Sequence, residues 1–131
     1  MPPLDDLETL PTVEAEEPAP RTLLLRLRGD LDAAAADQMT SVLDEELSHG
    51  GFSRILVDLS RVTLLSTAAS TVLQQLRRRC RTQQMHLVLV GAGRPAVHRP
   101  LRIAGLLPLF DIRPTLQSAL AGHAIPRSAG R

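Results

Sequence analysis

The feature that most restricts the fold is a pair of short, unbroken apolar runs, "RILVDLS" at 54–60 and "MHLVLVG" at 85–91. Ile55, Leu56 and Val57 follow one another without polar alternation, as do Leu87, Val88, Leu89 and Val90. A strand that is apolar on both sides has to be covered on both faces, which is the environment of a parallel sheet packed against helices. A third run, "RTLLLRLRGDLD", alternates Leu23, Leu25 and Leu27 with Leu24, Arg26 and Arg28 and is ended by Gly29 and Asp30. Its period of two reads as another strand.

Helical spacing fills the gaps between these strands. In "AAAADQMTSVLDEELSHGG" the side chains of Ala36, Met39, Leu43 and Leu47 share one face, Asp32 stands ready to cap the start, and Gly50 and Gly51 stop the run. Ala69, Val72, Leu73, Leu76 and Cys80 form a second stripe, with Arg77, Arg78, Arg79 and Arg81 near its end, where positive charge suits a helix C-terminus. "RPAVHRPLRIAGL" opens with Pro95 and closes with Gly105; Pro100 inside it removes a hydrogen bond and is expected to kink that helix or delay its start. "LPLFDI" reads as a last short strand and "RPTLQSALAG" as a last helix. The alternation predicts an α/β sandwich with a mostly parallel sheet of four to five strands and about four helices.

The ends read differently. Residues 1–20 hold six acids, no base and five of the ten prolines, a composition that resists packing. An acidic tail is expected over 1–20, within which part of "TLPTVEAEE" can form an edge strand from about residue 10, because proline is tolerated at a sheet edge. The packed domain is then expected over 21–122, with a polar tail over 123–131.

Beyond residue 20 the chain carries fifteen arginines against eight acids. Its only aromatics are Phe52 and Phe110, so the stacking surfaces that hold single strands are missing and direct nucleic-acid binding is not expected. No apolar run reaches membrane-spanning length, and the acidic start is unlike a signal peptide, which predicts a cytoplasmic protein without membrane insertion. Cys80 is the single cysteine and falls on the inner face of its helix, as an inert thiol would.

Signatures of catalysis are lacking. His49, His86, His98 and His123 are scattered without metal-ligand spacing, "GAGRPA" has only part of a dinucleotide loop, and no G-x-S-x-G is present. The expectation is a protein that is not an enzyme and holds no metal or cofactor. What stands out is a hydroxyl cluster, Ser66, Thr67, Ser70 and Thr71, where a strand passes into a helix. Such residues cap helices, and the same position favours a phosphoryl group, because free backbone N–H groups and the helix dipole both attract negative charge.

The runs "LRLRGDLD", "RILVDLSRVTLLSTAASTVL" and "PLRIAGLLPLFDI", in this order and spacing, resemble the STAS domains of bacterial anti-sigma factor antagonists over roughly residues 10–120. The resemblance implies a STAS-type sandwich that binds an anti-sigma factor, itself a serine/threonine kinase, and so releases a sigma factor. It also implies phosphorylation at the turn before the second main helix. Carried over by position, the phosphoacceptor falls on Thr67, with Ser66 and Ser70 as further candidates. The partner surface falls on Asp30, Asp32, Leu65 and Ala68. Leu65 and Ala68 stand where the family has an aspartate and a glycine, so a STAS scaffold without the switch, in a signalling assembly or a lipid-transport complex, is one alternative. A small α/β nucleotide-binding protein is another.

Overall fold

A computed structural model describes residues 10–124; the acids Asp5, Asp6 and Glu8 and the stretch after Ala124 lie outside the described residues. Five strands form one sheet in sequence order: β1 (Thr12–Ala19), β2 (Thr22–Leu31), β3 (Arg54–Leu65), β4 (His86–Val90) and β5 (Asp111–Arg113). β1 runs antiparallel to β2, and every other neighbouring pair is parallel. The helices are α1 (Ala33–Ser48), α2 (Thr67–Thr82), α3 (Pro95–Ile103) and α4 (Leu116–Ala124).

The two faces of the sheet explain the unbroken apolar runs. Leu23, Leu25, Leu27, Ile55, Val57 and Leu89 join the buried stripes of α1, α2 and α3 in the larger core. Leu24, Leu56, Val88 and Val90 point the other way, onto Ala119, Leu116 and Leu120 of α4. Alternate residues of one strand therefore serve two separate cores, which is why these runs show no polar alternation. Ala36, Met39, Leu43 and Leu47 of α1 are all buried, as are Ala69, Val72, Leu73, Leu76 and Cys80 of α2.

β1 is the edge strand expected from about residue 10, and it begins the sheet at Thr12; four later details depart from the sequence pattern. In β1, Val13 and Ala15 pack on the core while Glu14 and Glu16 face outward, and Glu16 meets Arg26 Nε at 2.9 Å. Pro18 is accommodated because β1 is an edge. β3 continues past Ser60 to Leu65, pairing with β2 alone beyond Asp58, with Val62 and Leu65 turned into the core. "LPLFDI" is not one strand: Leu107–Leu109 form a 3-10 turn and only Asp111–Arg113 pair with β4. Pro108 lacks the N–H that a ladder needs, so pairing starts after it. Helix α3 starts at Pro95 and runs through Pro100 to Ile103, and α4 continues through His123 to Ala124.

Candidate functional site

The C-terminal ends of β2 and β3 lie side by side, Asp30 opposite Leu64 and Leu31 opposite Leu65. The ladder takes one more step: Ser66 N donates to Leu31 O at 3.0 Å, and the chain then turns into α2. Ser66 is extended, and its side chain accepts from Ala69 N at 3.1 Å while its carbonyl accepts from Ser70 N at 2.9 Å. Both are the bonds of a helix cap. Ser66 is thereby committed to local structure.

Thr67 is not. It is the first helical residue and exposed, and among the described residues no hydrogen bond engages its hydroxyl. Its own carbonyl accepts from Thr71 Oγ1 at 3.0 Å. It stands in the first turn of α2, at the positive end of the helix dipole. Ser70 is 6 % exposed, so an incoming enzyme would have to open the helix packing to reach it.

The acidic strand end divides into two roles. Asp32 caps α1, its Oδ1 accepting from Ala35 N at 2.9 Å, and remains exposed. Asp30 Oδ1 accepts from Thr63 Oγ1 across the β2–β3 pair. Both stand at the same end of the sheet as Thr67.

Leu65 lies in the core at 4 % exposure, which accounts for an apolar residue there, and Ala68 is half-buried against the same core. The exposed neighbour is Leu64, at 46 %, and across from it Ile103 of α3 stands out at 76 %. Between the β3–α2 turn and α3 lies a groove of about 480 Å³ that Thr63, Leu64, Thr67, Ser70, Arg99 and Ile103 help to line. Of these, Thr63, Leu64, Arg99 and Ile103 escaped the sequence reading. They sit in segments whose pattern announced only a strand and a helix, and only the packing of α3 beside the turn brings them together.

Elsewhere the chemistry is quiet. Cys80 is buried, and burial, opposed by Arg79, pushes its thiol up to about 11, so it is protonated at neutral pH. No group of three or more metal-ligating side chains occurs among the described residues, and none of the described helices is long and apolar enough to cross a membrane.

With this geometry in view, likeness to known proteins is informative. The sequence matches the STAS domain family over residues 12–119. The chain belongs to the STAS domain family. This STAS domain is 29 % identical over 107 residues to BtrV of Bordetella bronchiseptica, assigned as an anti-sigma factor antagonist, with 80 % of this chain and 90 % of that protein covered. Its fold matches the crystal structure of an anti-sigma factor antagonist from Mycobacterium paratuberculosis with a TM-score of 0.76 at 22 % identity, covering 87 % of this chain and 94 % of the other. It also matches the phosphorylated form of the Bacillus cell fate determinant SpoIIAA, with a TM-score of 0.68 at 18 % identity, covering 84 % and 97 %. In this STAS domain the turn that holds Thr67 therefore sits in a fold shared with a protein that is itself phosphorylated.

Proposed function

We propose that this STAS domain is an anti-sigma factor antagonist of the cytoplasm, that its partner is an anti-sigma factor with serine/threonine kinase activity, and that Thr67 is the residue the partner reads and phosphorylates. The observation that carries the reading is the contrast between Ser66 and Thr67. One hydroxyl is consumed by the helix cap, and the other stands exposed at the helix start, unbonded among the described residues. The likeness to BtrV and to the Mycobacterium and Bacillus proteins supports the role. Binding itself requires no catalytic group of this chain.

The switch follows from charge. An unmodified Thr67 offers a partner a small neutral surface beside the groove. A phosphoryl group brings about −1.5 to −2 charges to the same spot. Against one carboxylate of a partner at about 6 Å, two charges repel by roughly 5 kcal/mol at an effective dielectric near 20, before screening by salt. About 1.4 kcal/mol already changes affinity tenfold, so even a heavily screened phosphate separates the two states without any change of fold. Asp30 and Asp32, at the same end of the sheet, add to the negative field around the modified residue.

Leu65 favours a second reading, a STAS scaffold without phosphorylation, because an apolar side chain sunk in the core occupies the position expected of a carboxylate. Incubation with the anti-sigma factor kinase encoded by the same genome and ATP, followed by peptide mass mapping, separates the two. Phosphate on Thr67 is the expected result; phosphate on Ser66 or Ser70 instead, or none, overturns the switch.

A further inference from the structure

The helical layer that carries Thr67 divides its charge between two neighbours. α2 has Arg77, Arg78, Arg79 and Arg81 and no acid; α1 has Asp37, Asp44, Glu45 and Glu46 and no base. Each helix returns from the end of one parallel strand to the start of the next, so the two run side by side in one direction. Most of these charges therefore gather at one end of the layer. Arginines suit the last turns of α2, but Asp44, Glu45 and Glu46 stand near the end of α1, where the helix dipole disfavours acids. The helix that carries the acidic strip does not explain it.

Internal bonds use only part of this charge. Arg79 pairs with Asp44 at 2.7 Å, and Arg77 Nε donates to Leu109 O at 2.9 Å. Arg78, Arg81, Asp37 and Glu45 are exposed and make no ion pair among the described residues. Of the acids around the end of α2, Asp44 is held by Arg79, and Asp111 is held by Arg113 and His86. Asp30 and Asp32 stand at the opposite end of the helices, by the start of α1.

The basic strip is continuous with Thr67. Thr67, Thr71 and Arg78 follow one another at spacings of 4 and 7 residues and all are exposed, which puts them on one outer face of α2. At about 1.5 Å per residue, Arg78 and Arg81 lie roughly 16 and 21 Å along the axis from Thr67. A protein partner covers roughly 800 Å² on each side, a patch about 30 Å across. One that engages Thr67 and lies along α2 therefore meets both arginines at its rim. α1 packs about 10 Å to the side, close to the screening length at physiological salt, so the partner meets two strips and not their sum.

We infer that these strips orient the anti-sigma factor, which carries acidic side chains where it crosses Arg78 and Arg81 and basic ones where it crosses Asp37 and Glu45. The inference rests on the functional reading above and adds to it the charge pattern of the partner. Charges at the rim of an interface act chiefly on the rate of association and on its salt dependence.

The test is the rate at which the full chain associates with the anti-sigma factor kinase encoded by the same genome, read by stopped flow at low and at high salt. Arg78→Gln with Arg81→Gln is expected to slow association severalfold at low salt, with the gap closing at high salt, and Asp37→Asn with Glu45→Gln to do the same. Circular dichroism melts show that the variants are folded. Arg28→Gln removes an exposed charge from the other face of β2, since its neighbour Leu27 points into the larger core, and is expected to change the rate less than Arg78→Gln alone. Rates equal to the parent's overturn the inference, and so does an equal effect of Arg28→Gln and Arg78→Gln, which would leave net charge as the whole cause. A salt-sensitive doubling of mass of the chain alone in sedimentation would assign the strips to a second copy and overturn it too. A kinase that does not bind the parent removes the functional reading along with the inference; one that binds parent and variants alike removes the inference only.

Discussion

Replacing Ser66 and Thr67 one at a time by alanine separates two adjacent hydroxyls that the sequence presents as equivalent. Ser66→Ala removes the side-chain oxygen that accepts from Ala69 N at 3.1 Å and leaves that N–H without its partner in a half-buried turn. Loss of such a cap costs about 1 kcal/mol, within a range of roughly 0.5–2. For a domain of this size that lowers the melting temperature by about 4 °C. Thr67→Ala removes an exposed hydroxyl with no bond among the described residues, and alanine is the better helix former, so stability is expected to stay within about 0.5 kcal/mol of the parent. Urea denaturation followed by circular dichroism reads both variants on one scale. A Thr67→Ala variant as destabilised as Ser66→Ala, or a Ser66→Ala variant with unchanged stability, would refute the division of roles.

Three further outcomes follow from the packing. Arg54 is buried and, among the described residues, meets no carboxylate: its Nη1 donates to Ala119 O at 2.9 Å, its Nη2 to Thr22 Oγ1 at 3.3 Å, and its Nε has no partner there. Arg54→Met, which keeps the bulk and removes the charge, is expected within about 1 kcal/mol of the parent, while Arg54→Ala loses about 2–3 kcal/mol through the cavity; equal losses in urea titrations would contradict this. Gly91 has φ +72° and an added Cβ would stand 2.7 Å from Ser60 Cβ, so Gly91→Ala is expected to lose more than about 2 kcal/mol, and a stable variant would show that the turn can move.

Asp111 is partly buried, which favours protonation, but hydrogen bonds from Arg113 and His86 outweigh burial and hold its carboxyl below the usual value of 3.8. As pH falls the unfolded chain takes up the proton first, so this contribution is present above pH 3.8 and fades as pH drops through the folded value. Asp111→Asn is therefore expected to be less stable than the parent at neutral pH, with the gap narrowing as pH falls below 3.8; a gap independent of pH would contradict it.

How much of this was legible beforehand depends on whether the signal is local. The runs at 55–57 and 87–90 announced two-sided burial, and the stripe from Ala69 to Cys80 announced α2, because each is a property of consecutive residues answering one neighbour. Residues 61–65 concealed the last turns of β3, since beyond Asp58 the strand has a partner on one side only. Pro108 concealed the 3-10 turn inside an apolar run that also suits a strand. The hydroxyl cluster marked the candidate site, but spacing cannot say which oxygen the cap consumes; that is fixed by Ser66 N reaching Leu31 O, a contact between residues 35 positions apart. The groove was invisible for the same reason. Leu64 and Ile103 become neighbours of Thr67 only after α3 has packed beside β3.

Whether a partner docks on the start of α2 and is repelled by charge at Thr67 is measured directly by the affinity of the anti-sigma factor for the parent, Thr67→Ala and Thr67→Glu chains by calorimetry. An acid in the first turn suits the helix dipole, so Thr67→Glu keeps the fold while placing charge at the site. Thr67→Ala is predicted to bind about as well as the parent and Thr67→Glu more than about tenfold more weakly. Equal affinities for all three would contradict the claim that the start of α2 is where this protein is recognised.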